Sequence, residues 1–111
     1  MAQINRIKGI VVGQYGEALQ FTIVDKDGNA VDISSYSSTK QAFLRDPFTL
    51  KPLTYTATFV SDGTNGQIQF TPTLSTDIDR PGTWELQFKL SSASATRYTQ
   101  IANVEVEKIL I

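Results

Sequence analysis

A sequence of 111 residues with 41% hydrophobic content has the size of one domain and enough apolar mass to fill one core. Cysteine and histidine are both absent, which excludes disulfide scaffolds, zinc clusters, thiolate nucleophiles and the commonest general base of enzymes. Ten Lys and Arg against eleven Asp and Glu give a formal charge of −1 with no basic block, which argues against nucleic acid as a partner. No apolar stretch is longer than the three residues of Ile10 to Val12, far short of the roughly 20 residues of a membrane helix, and no secretory h-region opens the sequence. The lack of cysteine leaves the redox compartment open.

Alternation of apolar and polar residues runs through most of the sequence, and no long stretch repeats at helical spacing. The first predicted strand is Ile4 to Val12, followed by a break at Gly13-Gln14-Tyr15-Gly16. Residues 17 to 25 form the next, with Leu19, Phe21 and Ile23 on one face and Gln20 and Thr22 on the other. Asp25-Lys26-Asp27-Gly28-Asn29 predicts a tight hairpin, because Gly and Asn tolerate positive φ, and Ala30 to Ile33 returns as a short strand. The polar run Ser34 to Ser38 reads as a crossing between sheets. Lys40 to Arg45 is a strand with Ala42 and Leu44 on one face, stopped by Asp46-Pro47, and Pro47 to Pro52 is a loop.

Leu53, Tyr55, Ala57 and Phe59 alternate with three threonines, a half-buried strand that pairs across the Asp62 to Gly66 turn with Gln67 to Thr71. Pro72 to Asp79 suggests a single helical turn capped by Ser75, before Arg80-Pro81-Gly82 turns the chain. Trp84, Leu86, Phe88 and Leu90 then alternate with Glu85, Gln87 and Lys89, and this face is expected at the centre of the core with Phe21, Ile23, Phe59, Ile68 and Phe70. After the loop Ser91 to Thr96, a last strand runs from about Arg97 to Val106, and Lys108-Ile109-Leu110-Ile111 follows. The whole length, 1 to 111, reads as a single domain. Seven or more short strands with turns every 8 to 12 residues predict an all-β, immunoglobulin-like β-sandwich of about seven to eight antiparallel strands in two sheets. A small barrel is the structural alternative.

Chemistry has few candidates. Asp25 to Asn29 resembles the start of a calcium loop, but its glycine is fourth rather than sixth and position 12 is Tyr36, so it reads as a turn. Asp77 and Asp79 could pair for acid and base work, yet no nucleophile, metal cluster or phosphate loop accompanies them, and acids before a strand usually cap backbone N–H groups. Trp84 with Tyr15, Tyr36, Tyr55 and Tyr98 could stack on a sugar, but Trp84 shares its face with Leu86, Phe88 and Leu90 and reads as core. No catalytic, cofactor-binding or metal-binding residue is predicted, and no enzyme activity.

Several segments carry a resemblance: Asp27-Gly28-Asn29 leading to Ala30-Val31-Asp32-Ile33-Ser34, then Phe43-Leu44-Arg45-Asp46-Pro47, then Phe59 to Gly66. The most telling is Phe70-Thr71-Pro72-Thr73 leading through Asp77-Ile78-Asp79 to Pro81-Gly82-Thr83-Trp84-Glu85-Leu86-Gln87. Over about residues 14 to 108 the sequence resembles the N-terminal immunoglobulin-like domain of upper baseplate proteins and related tail proteins of bacteriophages. The resemblance implies a virion structural protein, made in the host cytoplasm, that attaches to other virion proteins in a symmetric homo-oligomeric assembly. In the family further segments follow this domain, whereas this sequence stops at Ile111. That leaves a stand-alone baseplate, tail or capsid-decorating protein and a piece of a longer one as two expectations. A carbohydrate-binding or adhesive immunoglobulin-like module, with a glycan as partner, is the alternative function.

The expected interface comprises Ile4, Ile7, Tyr36, Phe48, Ile109, Leu110 and Ile111. Ile4, Ile7 and Ile109 to Ile111 lie outside the strongest alternating strands, and Tyr36 and Phe48 lie on loops. The N-terminal set could equally be an edge strand folded back on the sandwich, and an exposed edge would let a neighbouring subunit add a strand.

Overall fold

A computed structural model describes residues 3–6, 10–11, 13, 15–46, 48, 52–74 and 76–107. The described elements are all strands: β1 (Gln3–Arg6), β2 (Ile10–Val11), β3 (Leu19–Val24), β4 (Thr39–Arg45), β5 (Leu53–Thr56), β6 (Thr58–Phe59), β7 (Gln67–Phe70), β8 (Gly82–Ser91), β9 (Thr96–Tyr98) and β10 (Ala102–Glu107). One sheet has the order β1-β3-β7-β6. The other has the order β2-β10-β8-β4-β5, with β9 also pairing with β8. Neither sheet closes on itself among the described residues, so the molecule is a sandwich and the barrel alternative falls.

Three of the strands read from the sequence are interrupted. The run expected over Ile4 to Val12 is split, β1 lying antiparallel to β3 in the smaller sheet and β2 parallel to β10 in the larger one. Leu53 to Phe59 also changes sheets: β5 pairs with β4, Ala57 still donates its N–H to the Lys40 carbonyl at 2.8 Å, and β6 then pairs with β7. The hairpin expected over residues 53 to 71 is therefore only its second half, β6 with β7. The last strand breaks between β9 and β10. Joining the halves of these three runs leaves seven strands among the described residues, in the two-sheet arrangement of an immunoglobulin-like sandwich.

The third break is a β-bulge. Lys89 pairs with Tyr98, but Leu86 pairs with Ala102, so three residues oppose two. Thr99, the one buried polar side chain among the described residues, fills the gap. Its backbone N–H donates to the Phe88 carbonyl and its Oγ1 accepts the Phe88 N–H, both at 3.0 Å. Gln87 Nε2 donates to the Thr99 carbonyl at 2.9 Å. The extra residue flips the inward parity, so that Val104 and Val106 reach the core.

β8 is the central strand, with Trp84, Leu86, Phe88 and Leu90 all buried as their alternation predicts. Phe21 stacks on Phe70 at 5.7 Å between ring centroids, and Phe88 meets Phe21 edge-on at 5.9 Å, which joins the two sheets through one aromatic cluster. Trp84 Nε1 donates to the Arg80 carbonyl at 3.1 Å, so its polar atom is satisfied. Phe59 departs from its expected place: it packs against the margin of the core, half-buried, with Lys40 Nζ 4.5 Å from its ring centroid. Ile33 and Ile78 join the core from loops.

Turn chemistry follows the short polar residues. Asp25 Oδ1 accepts the N–H groups of Asp27 and Asn29 at 2.9 and 3.0 Å, closing the predicted hairpin turn with Gly28 at φ 84°. The return over Ala30 to Ile33 makes a single bridge, Ala30 to Val24, rather than a strand. Val31 and Ile33 instead donate to the Ile23 and Gly63 carbonyls at 2.9 Å each. Residues 34–38 cross from β3 in one sheet to β4 in the other, as expected.

Candidate functional site

The strand pairing sorts the loops into two ends. Val106 pairs with Gly82 and Glu107 with Val11, so β8 begins where β2 and β10 finish. Arg45 pairs with Glu85, so β4 delivers Asp46 and Phe48 to that same end. Leu19 pairs with Phe70, which places residues 15–18 and 71–81 there too. Gly13 and Gly16 donate their N–H groups to the Ile78 and Pro72 carbonyls, each at 2.8 Å, tying these loops together.

Among the described residues, three large apolar side chains stand in solvent at this Gly82 end: Phe48 is 72% exposed, Leu74 59% and Tyr15 55%. Isolated exposed apolar residues are ordinary, but several on one face of a small domain mark an interaction surface. The Arg80 guanidinium carbon lies 5.4 Å from the centroid of the Phe48 ring, and Arg80 Nε lies 3.9 Å from Asp46 Oδ2 and 3.3 Å from Asp79 Oδ1. The loop before Phe48 is shaped by Asp46 Oδ1, which accepts the Phe48 N–H at 2.8 Å.

Leu74 is held outward by a corner built on Asp77. Asp77 Oδ2 accepts the Tyr55 hydroxyl at 2.9 Å, the N–H groups of Thr73 and Leu74 at 3.3 Å each, and Thr73 Oγ1 at 3.4 Å. The helical turn predicted for residues 72–79 is not seen among the described residues. Asp77 donates its N–H back to the Leu74 carbonyl at 3.0 Å in a turn, its side chain does the capping, and Ser75 lies outside the described residues. Burial of the Tyr55 phenol, and then its bond to the Asp77 carboxylate, push its pKa well above the ordinary tyrosine value, so it stays protonated and donating. Of the carboxylates once weighed for acid and base work, Asp77 thus braces a corner and Asp79 meets Arg80. No group of three or more Asp, Glu, His or Cys among the described residues could hold a metal ion.

The expected interface residues separate. Phe48 is at the Gly82 end, against Arg80. Tyr36 is at the opposite end, half-buried against the core, with the Arg97 guanidinium carbon 5.9 Å from its ring centroid. Ile4 lies in β1, in register with Ile23. Ile7, Ile109, Leu110 and Ile111 lie outside the described residues. Leu74 and Tyr15 were not singled out by sequence reasoning as interface. Leu74 sits in a polar stretch whose other apolar residue, Ile78, turns inward, and nothing in the sequence separates the two.

A second feature lies on the outer face of the larger sheet, where Phe43, Pro52, Gln87 and Ile101 line a shallow groove of about 280 Å³ beside the Arg45–Glu85 ion pair. Trp84, at 1% exposure, contributes nothing to any surface platform.

No family model and no curated protein matches the chain. Among solved structures it is similar to AggA, the major subunit of aggregative adherence fimbriae type I from Escherichia coli. The two are 12% identical over 98% of this chain and 95% of that chain, with a TM-score of 0.30. A likeness of that degree carries no argument, and the fold rests on the strand pairing itself.

Proposed function

We propose that this chain is a structural protein of a bacteriophage virion, a non-enzymatic component of the baseplate, tail or capsid surface that joins other virion proteins, further copies of itself among them, through its Gly82 end. The observation that carries the reading is the corner between Phe70 and Gln87. This segment holds the most telling residues of the baseplate-domain resemblance, and it presents the exposed Leu74 at the same end of the sandwich as Phe48 and Tyr15. An apolar surface braced by a buried tyrosine and a carboxylate is a rigid contact patch, which suits attachment better than catalysis. The rest of the chemistry agrees with a scaffold: the sequence offers no histidine or cysteine, and no buried side-chain polar atom among the described residues lacks a partner.

Mass spectrometry of purified virions is expected to find the chain in stoichiometric amount, with electron microscopy placing it against a neighbouring virion protein at its Gly82 end. Virions that lack the chain would overturn the reading. An adhesive module would instead use the exposed aromatics Tyr15 and Tyr98. Reproducible glycan-array binding lost on substituting these tyrosines would favour that function over the virion role.

A further inference from the structure

The turn between β6 and β7 contains Asn65-Gly66, and of the four asparagines in the sequence only Asn65 precedes a glycine. Asn-Gly is the most reactive of asparagine dipeptides because a β-carbon on the following residue would otherwise hinder its backbone nitrogen, and asparagine is a thermolabile residue for this reason. In the reaction the Gly66 amide nitrogen loses its proton and attacks Cγ of Asn65. A new N–C bond closes a five-membered imide, the bond from Cγ to the side-chain nitrogen breaks, and ammonia leaves. Water then opens the ring at one of its two carbonyls, yielding Asp or isoaspartate.

The folded geometry opposes the first step. The Gly66 N–H is engaged with the Gly63 carbonyl at 3.2 Å, which ties up the nucleophile, and Asn65 Oδ1 accepts the Gln67 N–H at 3.1 Å, which fixes the orientation of the side-chain amide. The Gly66 carbonyl accepts the Ile23 N–H at 2.8 Å. Gly66 is closely packed against the neighbouring backbone: an atom placed where a Cβ would stand on it lies 2.7 Å from the Ile23 carbonyl oxygen and 2.9 Å from that of Val31. The contrast is Asp27-Gly28, where the same construction on Gly28 meets nothing within 4 Å.

We infer that Asn65-Gly66 is a deamidation site gated by folding, inert in the native sandwich and reactive whenever the turn detaches from β3. Isoaspartate there adds a methylene to the backbone at the point that must meet Ile23 and Val31, so a chain that deamidates while open does not re-form this turn as before.

Incubation at mildly alkaline pH, with peptide mapping for isoaspartate and ammonia loss, tests this on the whole chain. Conversion at Asn65 is expected to be at least about tenfold slower in native buffer than in denaturing urea, because the native rate follows the population of the opened turn. Phe88→Ala, a core substitution outside the turn, should speed conversion in native buffer towards the urea rate, whether the variant is merely destabilised or unfolded outright. Equal rates in native buffer and urea, or a Phe88→Ala chain as protected as the wild type, overturn the inference.

Discussion

Tyr55 and Asp77 join the two sheets at the edge where the chain changes from one to the other, the hydroxyl donating to Oδ2 at 2.9 Å. Tyr55 enters from the larger sheet with its ring stacked on Phe70 of the smaller one at 5.2 Å between centroids. The carboxylate it meets also organises Thr73 and Leu74. One side-chain pair thus couples the core to the shape of the proposed contact surface.

Tyr55→Phe is expected to keep the ring stacking and lose the bond, lowering stability by about 0.5–1.5 kcal/mol. Asp77→Ala removes the carboxylate that accepts from Tyr55, Thr73 and Leu74 and should reduce association more than Tyr55→Phe does. Denaturant melts of both variants, with association followed on the same samples, check this. An Asp77→Ala chain that associates as the wild type does contradicts the role of the corner.

Thr99→Val keeps the shape of the side chain and leaves the buried Phe88 N–H without its acceptor. The expected loss is about 1–3 kcal/mol, while Thr99→Ser, which retains the hydroxyl, should lose less. Chemical denaturation of the two variants should rank them in that order. A Val variant as stable as the wild type would mean that the bulge does not depend on this hydroxyl.

Two exposed turns carry a pH dependence. Asp62 is held below its ordinary value of 3.8 by hydrogen bonds from Thr64, its hydroxyl first and then its N–H, and Asp32 is lowered in the same way by Ser34. Because the folded pKa is below the unfolded one, the contribution of each turn is present above pH 3.8 and is lost as pH falls through the folded value. Carboxyl titration by NMR should find Asp62 below 3.8 in the wild type and closer to it in Thr64→Ala. An unchanged titration in the variant would remove the threonine from the explanation.

The parts of the fold that depend on alternation were legible in the sequence. Trp84 to Leu90 and Leu19 to Ile23 could be assigned their buried faces because one face of each strand meets the core over its whole length. The sheet changes were hidden for a physical reason: Ala57 keeps the parity of Leu53, Tyr55 and Phe59, so hydrophobic pattern alone does not say which neighbour each half hydrogen-bonds. The bulge at Thr99 was hidden because a buried threonine reads as a polar interruption until its bonds to Phe88 and Gln100 are seen. Phe48 was readable as a loop residue from the prolines flanking it. Leu74 was not, since its exposure is set by Asp77 bracing the corner from across the sheets with Tyr55.

Molar mass in solution, measured by sedimentation for the wild-type chain and for the double variant Phe48→Asp, Leu74→Asp, tests attachment through the Gly82 end most directly. Both side chains are exposed, so the variant is expected to melt at the wild-type temperature, because surface changes typically stay within about 0.5 kcal/mol. The wild type should sediment as an oligomer and the variant as a monomer. A variant that associates as strongly as the wild type, or a wild type that is monomeric at every concentration tested, would contradict the proposal.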